Sequence, residues 1–93
     1  MGTVARHLII HGRVQGVWYR AWTVRTAQGL GLTGWVRNLR GGDVEALVQG
    51  EESAVDAFVT EAWRGPPAAN VTAIEAQDVP ISDIARFEQR DTA

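Results

Sequence analysis

The chain switches between two hydrophobic spacings, and each switch marks a new element. Residues 6–12 alternate loosely around Leu8 and Ile10 and predict a first strand. Residues 19–28 are helical in composition, with Ala21, Val24 and Ala27 at threefold spacing. Gly29 and Gly31 stop that helix, since glycine readily adopts the left-handed conformation of a helix end. Residues 33–38, with Trp35 and Val36, predict a second strand, Leu39-Arg40-Gly41-Gly42 a turn, and residues 43–49 a third strand. In the third strand Val44, Ala46 and Val48 share one face. The second helix has the clearest period, with Ala54, Val55, Phe58, Val59, Ala62 and Trp63 forming one apolar stripe. Glu51, Glu52 and Asp56 lie in its first turns, where the helix dipole favours acids, and Gly65-Pro66-Pro67 ends it. Residues 71–79 predict a fourth strand and residues 85–90 a short fifth.

The order βαββαβ predicts an α+β fold of ferredoxin-like type. Two helices pack on one face of an antiparallel sheet of four strands, plus the short fifth. In this arrangement the second strand runs parallel to the first, with the third between them. Both then end on the same edge of the sheet.

Composition narrows the function classes. The 93 residues are expected to form a single domain spanning 1–93. There is no cysteine, so disulfides, thiolate metal sites and cysteine nucleophiles are excluded. All nine basic residues are arginine, which excludes Schiff-base chemistry and a lysine base. They are scattered from Arg6 to Arg90 within a net charge of −2, which argues against a nucleic-acid partner. No apolar run approaches ~20 residues and no signal-peptide pattern opens the chain, so a cytoplasmic, membrane-independent monomer is expected.

The candidate chemistry begins at Gly12-Arg13-Val14-Gln15-Gly16-Val17-Trp18-Tyr19-Arg20. A glycine-punctuated loop between a strand and a helix N-terminus presents unpaired backbone N–H groups, and the helix dipole favours an anion there. Arg20 adds a guanidinium fork matched to phosphate oxygens. The alternative is an ordinary βα turn followed by a solvated or ion-paired arginine. Asn38 closes the second strand on the same edge as this loop. Its amide can accept from a water while donating to an oxyanion, or it can simply begin the hairpin turn. His7 and His11 stand four residues apart in a strand, ~13 Å at ~3.3 Å per residue, too far to share a metal. No metal site is expected. Trp18, Trp22, Trp35 and Trp63 read as core and rim packing, with Trp18 and Trp22 also able to flank the mouth of a site.

The same residues resemble the acylphosphatase family. Residues Gly12 through Arg20 are similar to its first signature, and Gly34-Trp35-Val36-Arg37-Asn38, with Gly42, Val44 and Gly50, to its second. The likeness spans roughly residues 6–79 and fades after Pro80. The resemblance implies hydrolysis of the carboxyl–phosphate bond of small acyl phosphates, with no cofactor and no metal. It implies that Arg20 binds the phosphoryl group together with the loop at Gln15, Gly16, Val17, Trp18 and Tyr19, and that Asn38 orients the attacking water. Tyr19 stands where the family often has phenylalanine, so its hydroxyl must find a partner. A non-catalytic module binding an anion, a small effector or RNA is the rival from another class.

Overall fold

Alternation along Thr3–Arg13 (β1) sends Leu8 and Ile10 to one face of a sheet and His7, Ile9 and His11 to the other. The structure is a computed structural model and describes residues 2–93. After β1 come α1 (Tyr19–Gly29), β2 (Thr33–Asn38), β3 (Val44–Glu51), α2 (Glu52–Arg64), β4 (Asn70–Val79) and β5 (Phe87–Gln89). The sheet order is β4-β1-β3-β2-β5. Strand β1 pairs antiparallel with β3 and β4, and β2 pairs antiparallel with β3. Strands β1 and β2 are therefore parallel neighbours-but-one, as expected, and their C-terminal ends share an edge.

The fifth strand changes the description of the sheet. It pairs parallel to β2, with Gly34 opposite Phe87 and Val36 opposite Gln89, so the sheet is mixed and not wholly antiparallel. The chain must cross from the β4 edge to the β2 edge to make this pairing. Gln49 of β3 holds the crossing segment through two reciprocal bonds, its Nε2 to the Ser82 carbonyl at 2.8 Å and its Oε1 from the Ser82 amide at 2.9 Å. Phe87 then inserts into the core. A Cβ at Gly34 would lie 1.8 Å from the Leu47 carbonyl oxygen and 3.1 Å from the Phe87 ring, so glycine is what admits both.

The two helices cover one face. Val55, Phe58 and Ala62 of α2 are buried as the stripe predicted, and Phe58 alone contributes on the order of 1.5–3 kcal/mol. Trp63, one step of ~100° beyond Ala62, falls off the stripe and is half-exposed. In α1 the buried residues are Tyr19, Thr23 and Ala27, with Val24 partly buried against the core. The helix turns its largest ring inward, and Tyr19 sets the rotation. Of the four tryptophans only Trp22 joins the core, its ring 5.3 Å from Tyr19 and 6.2 Å from Phe58. Trp35 lies on the opposite face between the guanidinium groups of Arg37 and Arg90, at 4.9 and 5.0 Å.

Tyr19 also closes the junction between the helices. Its hydroxyl donates to the Ala62 carbonyl at 2.6 Å, one of the last-turn carbonyls of α2 that no intrahelical N–H can reach. Gly65 ends α2 with φ 61, and a Cβ there would come within 2.7 Å of the Tyr19 ring. Burial pushes the Tyr19 phenol well above its ordinary value. Tyr19→Phe is expected to lower stability by about 1–3 kcal/mol, because it leaves a buried carbonyl without a donor. Urea unfolding of the two proteins checks this.

The open face of the sheet carries paired charges. Glu45 of β3 contacts the His7 ring nitrogen at 2.6 Å and the Arg37 Nε at 2.6 Å. His11 lies between Glu75 at 2.5 Å and Asp43 at 3.0 Å. The sequence showed no carboxylates beside these histidines; neighbouring strands supply them. The hydrogen bond to Glu75 raises the His11 pKa above 6.5, against partial desolvation and with help from Asp43. Burial pushes the Glu45 carboxyl up, but hydrogen bonds from His7 and Arg37 outweigh it and hold the pKa below the usual 4.5. A raised histidine stabilises fully below its unfolded pKa and loses that contribution as pH climbs through the folded value. Glu45 acts in the opposite sense, stabilising above the ordinary carboxyl range and ceasing to do so as pH falls through its folded pKa. The part of stability owed to His11 should thus fall as pH rises above the ordinary histidine value of 6.5. His11→Gln should flatten that fall in denaturation curves taken across neutral and mildly alkaline pH.

Candidate active site

The loop after β1 is aimed by a bulge. The pairing of β1 with β4 slips between His11 and Gly12, and Gly12 takes φ 121. A Cβ at Gly12 would sit 2.1 Å from the Asn70 carbonyl oxygen. The glycine therefore admits strand β4, not an anion. Beyond it, Val14 and Val17 turn inward and are buried at 1% and 4% exposure, anchoring the loop from beneath. Gly16 takes φ 73 at an exposed bend, and Trp18 reaches φ 68 immediately before α1.

This geometry leaves a row of donors unused. Helix α1 has no side-chain cap and no acid in its first turn, and its first bond runs from the Trp22 amide to the Trp18 carbonyl. Among the described residues, no backbone amide from Gln15 to Ala21 donates to a carbonyl or a side chain. Orphan amides of this kind are the general anion-binding device of helix N-termini.

A cavity of about 320 Å³ opens over these amides. The loop contributes Val14, Gln15, Gly16 and Trp18, and the helix start Tyr19, Arg20 and Ala21. Asn38 at the end of β2 and Gln89 of β5 complete it. Arg20 and Asn38, eighteen positions apart in sequence, are thus brought to one cavity on the shared sheet edge. Val17 does not line it: its side chain belongs to the core, so it offers the cavity only its backbone. Tyr19 likewise points its ring and hydroxyl into the core.

Two polar side chains here lack the partners their neighbours have. Of the nine arginines, Arg6, Arg37, Arg64 and Arg90 pair with carboxylates, and Arg13, Arg25, Arg40 and Arg86 are exposed. Arg20 alone is half-buried without an ion pair or side-chain hydrogen bond among the described residues. Asn38 carries a buried Oδ1 to which no donor is directed. An unmet acceptor of this type costs about 1–3 kcal/mol, a cost tolerated where a ligand or its water is the intended partner.

Gln15 joins the two halves of the site. Its Nε2 donates to the Leu39 carbonyl at 2.7 Å and to the Asp43 carbonyl at 2.9 Å, tying the loop to the turn that follows Asn38. The side chain is committed to this clamp, so toward the cavity Gln15 offers its amide. Sequence reasoning did not find Gln89. Nothing in residues 85–90 signals that a parallel pairing with β2 will carry this side chain beside Asn38.

The chain is similar to proteins of one family. The acylphosphatase family model matches residues 6–89. An acylphosphatase of Azoarcus sp. (strain BH72) is 56% identical over 84 residues, covering 90% of this chain and 86% of that protein. One from Acidovorax sp. (strain JS42) is 49% identical over 90 residues, covering 97% and 93%. The solved structure of an acylphosphatase from Coxiella burnetii superimposes with a TM-score of 0.92 at 35% identity, covering 95% of this chain and 93% of that one.

The clamp has a measurable consequence. Gln15→Ala removes both donors at once and leaves the Leu39 and Asp43 carbonyls short of a partner. Stability is expected to fall by about 1–3 kcal/mol. Amide hydrogen exchange should accelerate in the loop and in the turn after Asn38 together, where an independent loop would accelerate alone.

Proposed function

Because the chain belongs to the acylphosphatase family, and so hydrolyses the carboxyl–phosphate bond of acyl phosphates, we propose that Arg20 and the orphan amides bind the phosphoryl group while Asn38 orients the attacking water. The observation that carries this assignment is the half-buried, unpaired guanidinium of Arg20 beside seven unpaired amides. A protein that neutralises its other sheltered arginines keeps this one for an anion from outside.

The chemistry suits so sparse a site. The leaving group is a carboxylate that departs without a proton, so no general acid is needed. What remains is to hold the phosphoryl charge and to place a water in line with the bond that breaks. The guanidinium and the amides do the first. Asn38, with its unmatched Oδ1, accepts one O–H of the water and aims the oxygen lone pair at phosphorus. The second water proton passes to a phosphoryl oxygen of the substrate as the P–O bond forms. The reaction then ends as carboxylate and inorganic phosphate, with no metal or cofactor taking part. On the same reading the protein acts as a cytoplasmic monomer on a small-molecule acyl phosphate.

Hydrolysis of benzoyl phosphate in EDTA tests the assignment. Arg20→Ala should lose more than about 10³-fold in kcat/KM, because it removes charge as well as bidentate geometry. Asn38→Ala should lose about 10²–10³-fold, almost all in kcat. A folded Arg20→Ala protein with full activity overturns the role of Arg20. A loss confined to KM in Asn38→Ala makes it a binding residue. No turnover by the folded parent protein points instead to an anion-binding module.

A further inference from the structure

Trp18 combines two unfavourable features in one residue. It is the only non-glycine residue with positive φ among the described residues, at 68°. It is also 81% exposed, the most exposed large hydrophobic side chain among the described residues. Holding a side chain in the left-handed region costs about 1–2 kcal/mol, and glycine would occupy the position without that cost. Leaving the indole in solvent forgoes the burial that normally offsets such strain. It makes no ring contact with Tyr19, Trp22 or Phe58, which pack against one another directly beneath the site. The fold gains nothing visible from an indole here.

Position supplies the reason. Trp18 lines the same cavity as Arg20 and Asn38. Once the amides, Arg20 and Asn38 are assigned to the phosphoryl group and the water, the apolar lining left over is Val14, Tyr19, Ala21 and Trp18. Val14 and Tyr19 are buried and Ala21 is small, so the indole is the one large exposed apolar surface available to the other half of the substrate. An indole face of this size suits a planar or extended apolar group and gives little to a single methyl.

Building on the proposed phosphoryl site, we propose that Trp18 reads the acyl side of the substrate and selects acyl phosphates with an aromatic or extended apolar acyl group over acetyl phosphate. The contact is made equally in the ground state and the transition state, because the acyl group is remote from the P–O bond being broken. It therefore acts through KM. The backbone amide of residue 18 continues to serve the phosphoryl group whatever side chain it carries.

The test measures kcat and KM for benzoyl phosphate and acetyl phosphate in the parent protein, Trp18→Phe and Trp18→Gly. Glycine suits φ 68, so that variant is expected to fold. The ratio of kcat/KM values for the two substrates, compared between variant and parent, cancels their different leaving-group reactivity and any general effect on the loop. Trp18→Gly should reduce the preference for benzoyl phosphate about tenfold, through a higher KM for that substrate. Trp18→Phe should keep most of it. An unchanged ratio in Trp18→Gly, or a fall confined to kcat, overturns the role of Trp18 while leaving the phosphoryl site standing. Failure of the folded parent protein to hydrolyse either substrate overturns both.

Discussion

The structure is organised around one constraint: a row of backbone amides must stay unpaired without the loop collapsing onto itself. A loop that gained its own hydrogen bonds would be more stable alone and useless for binding an anion. The chain meets the constraint by fastening the loop from below and from the side. Val14 and Val17 plug into the core beneath it, and the Gln15 carboxamide ties it to the turn after β2. Tyr19 then fixes the start of α1 to the end of α2 through the Ala62 carbonyl. Each anchor is a side chain, so the amides themselves remain outward.

Charge follows the same division. On the open face of the sheet, His7, His11 and Arg37 all meet carboxylates, and Trp35 is covered by two guanidinium groups. The His11–Glu75 pair, with Glu75 well exposed, contributes modestly, while the Glu45 carboxyl is more sheltered. At the cavity the opposite holds. A sheltered cation and a row of positive dipole ends face inward with no acid beside them. An anion arriving there displaces no internal partner, and the proposed phosphoryl site would meet its charge with donors that need not reorganise.

Much of this was legible before the structure. Period-2 alternation at Leu8 and Ile10 and at Val44, Ala46 and Val48, with the α2 stripe, places the core correctly, since burial acts on spacing that a sequence displays directly. The order of elements puts Asn38 and the loop after β1 on one edge, because β1 and β2 must be parallel. Other features depend on partners far away in sequence. Tyr19, not the smaller apolar residues, decides which face of α1 is buried. Trp63 misses the core by one residue. The carboxylates beside His7 and His11 come from β3, β4 and the turn just before β3, and register between strands is not written in either strand alone. Gln89 was invisible for the same reason.

The least legible segment also braces the most exactingly placed residue. Asn38 is the last residue of β2, where a strand would ordinarily fray, and on one side it is held only by its pairing with Val44. On the other side the chain returns along β5 and beyond it. The Arg90 amide donates to the Val36 carbonyl at 2.8 Å and the Ala93 amide to the Asn38 carbonyl at 3.0 Å. The Arg40 amide donates in turn to the Ala93 carbonyl oxygen at 3.1 Å. Asn38 thus sits in a strand end bonded on both edges, which fixes its amide as the proposed in-line attack would require. Phe87 makes the brace possible, and Gly34 makes room for Phe87. A glycine four residues before the asparagine proposed to orient the water therefore shapes the candidate site through packing. Its conformation and its missing Cβ are as much a part of the site as the amide it helps to hold.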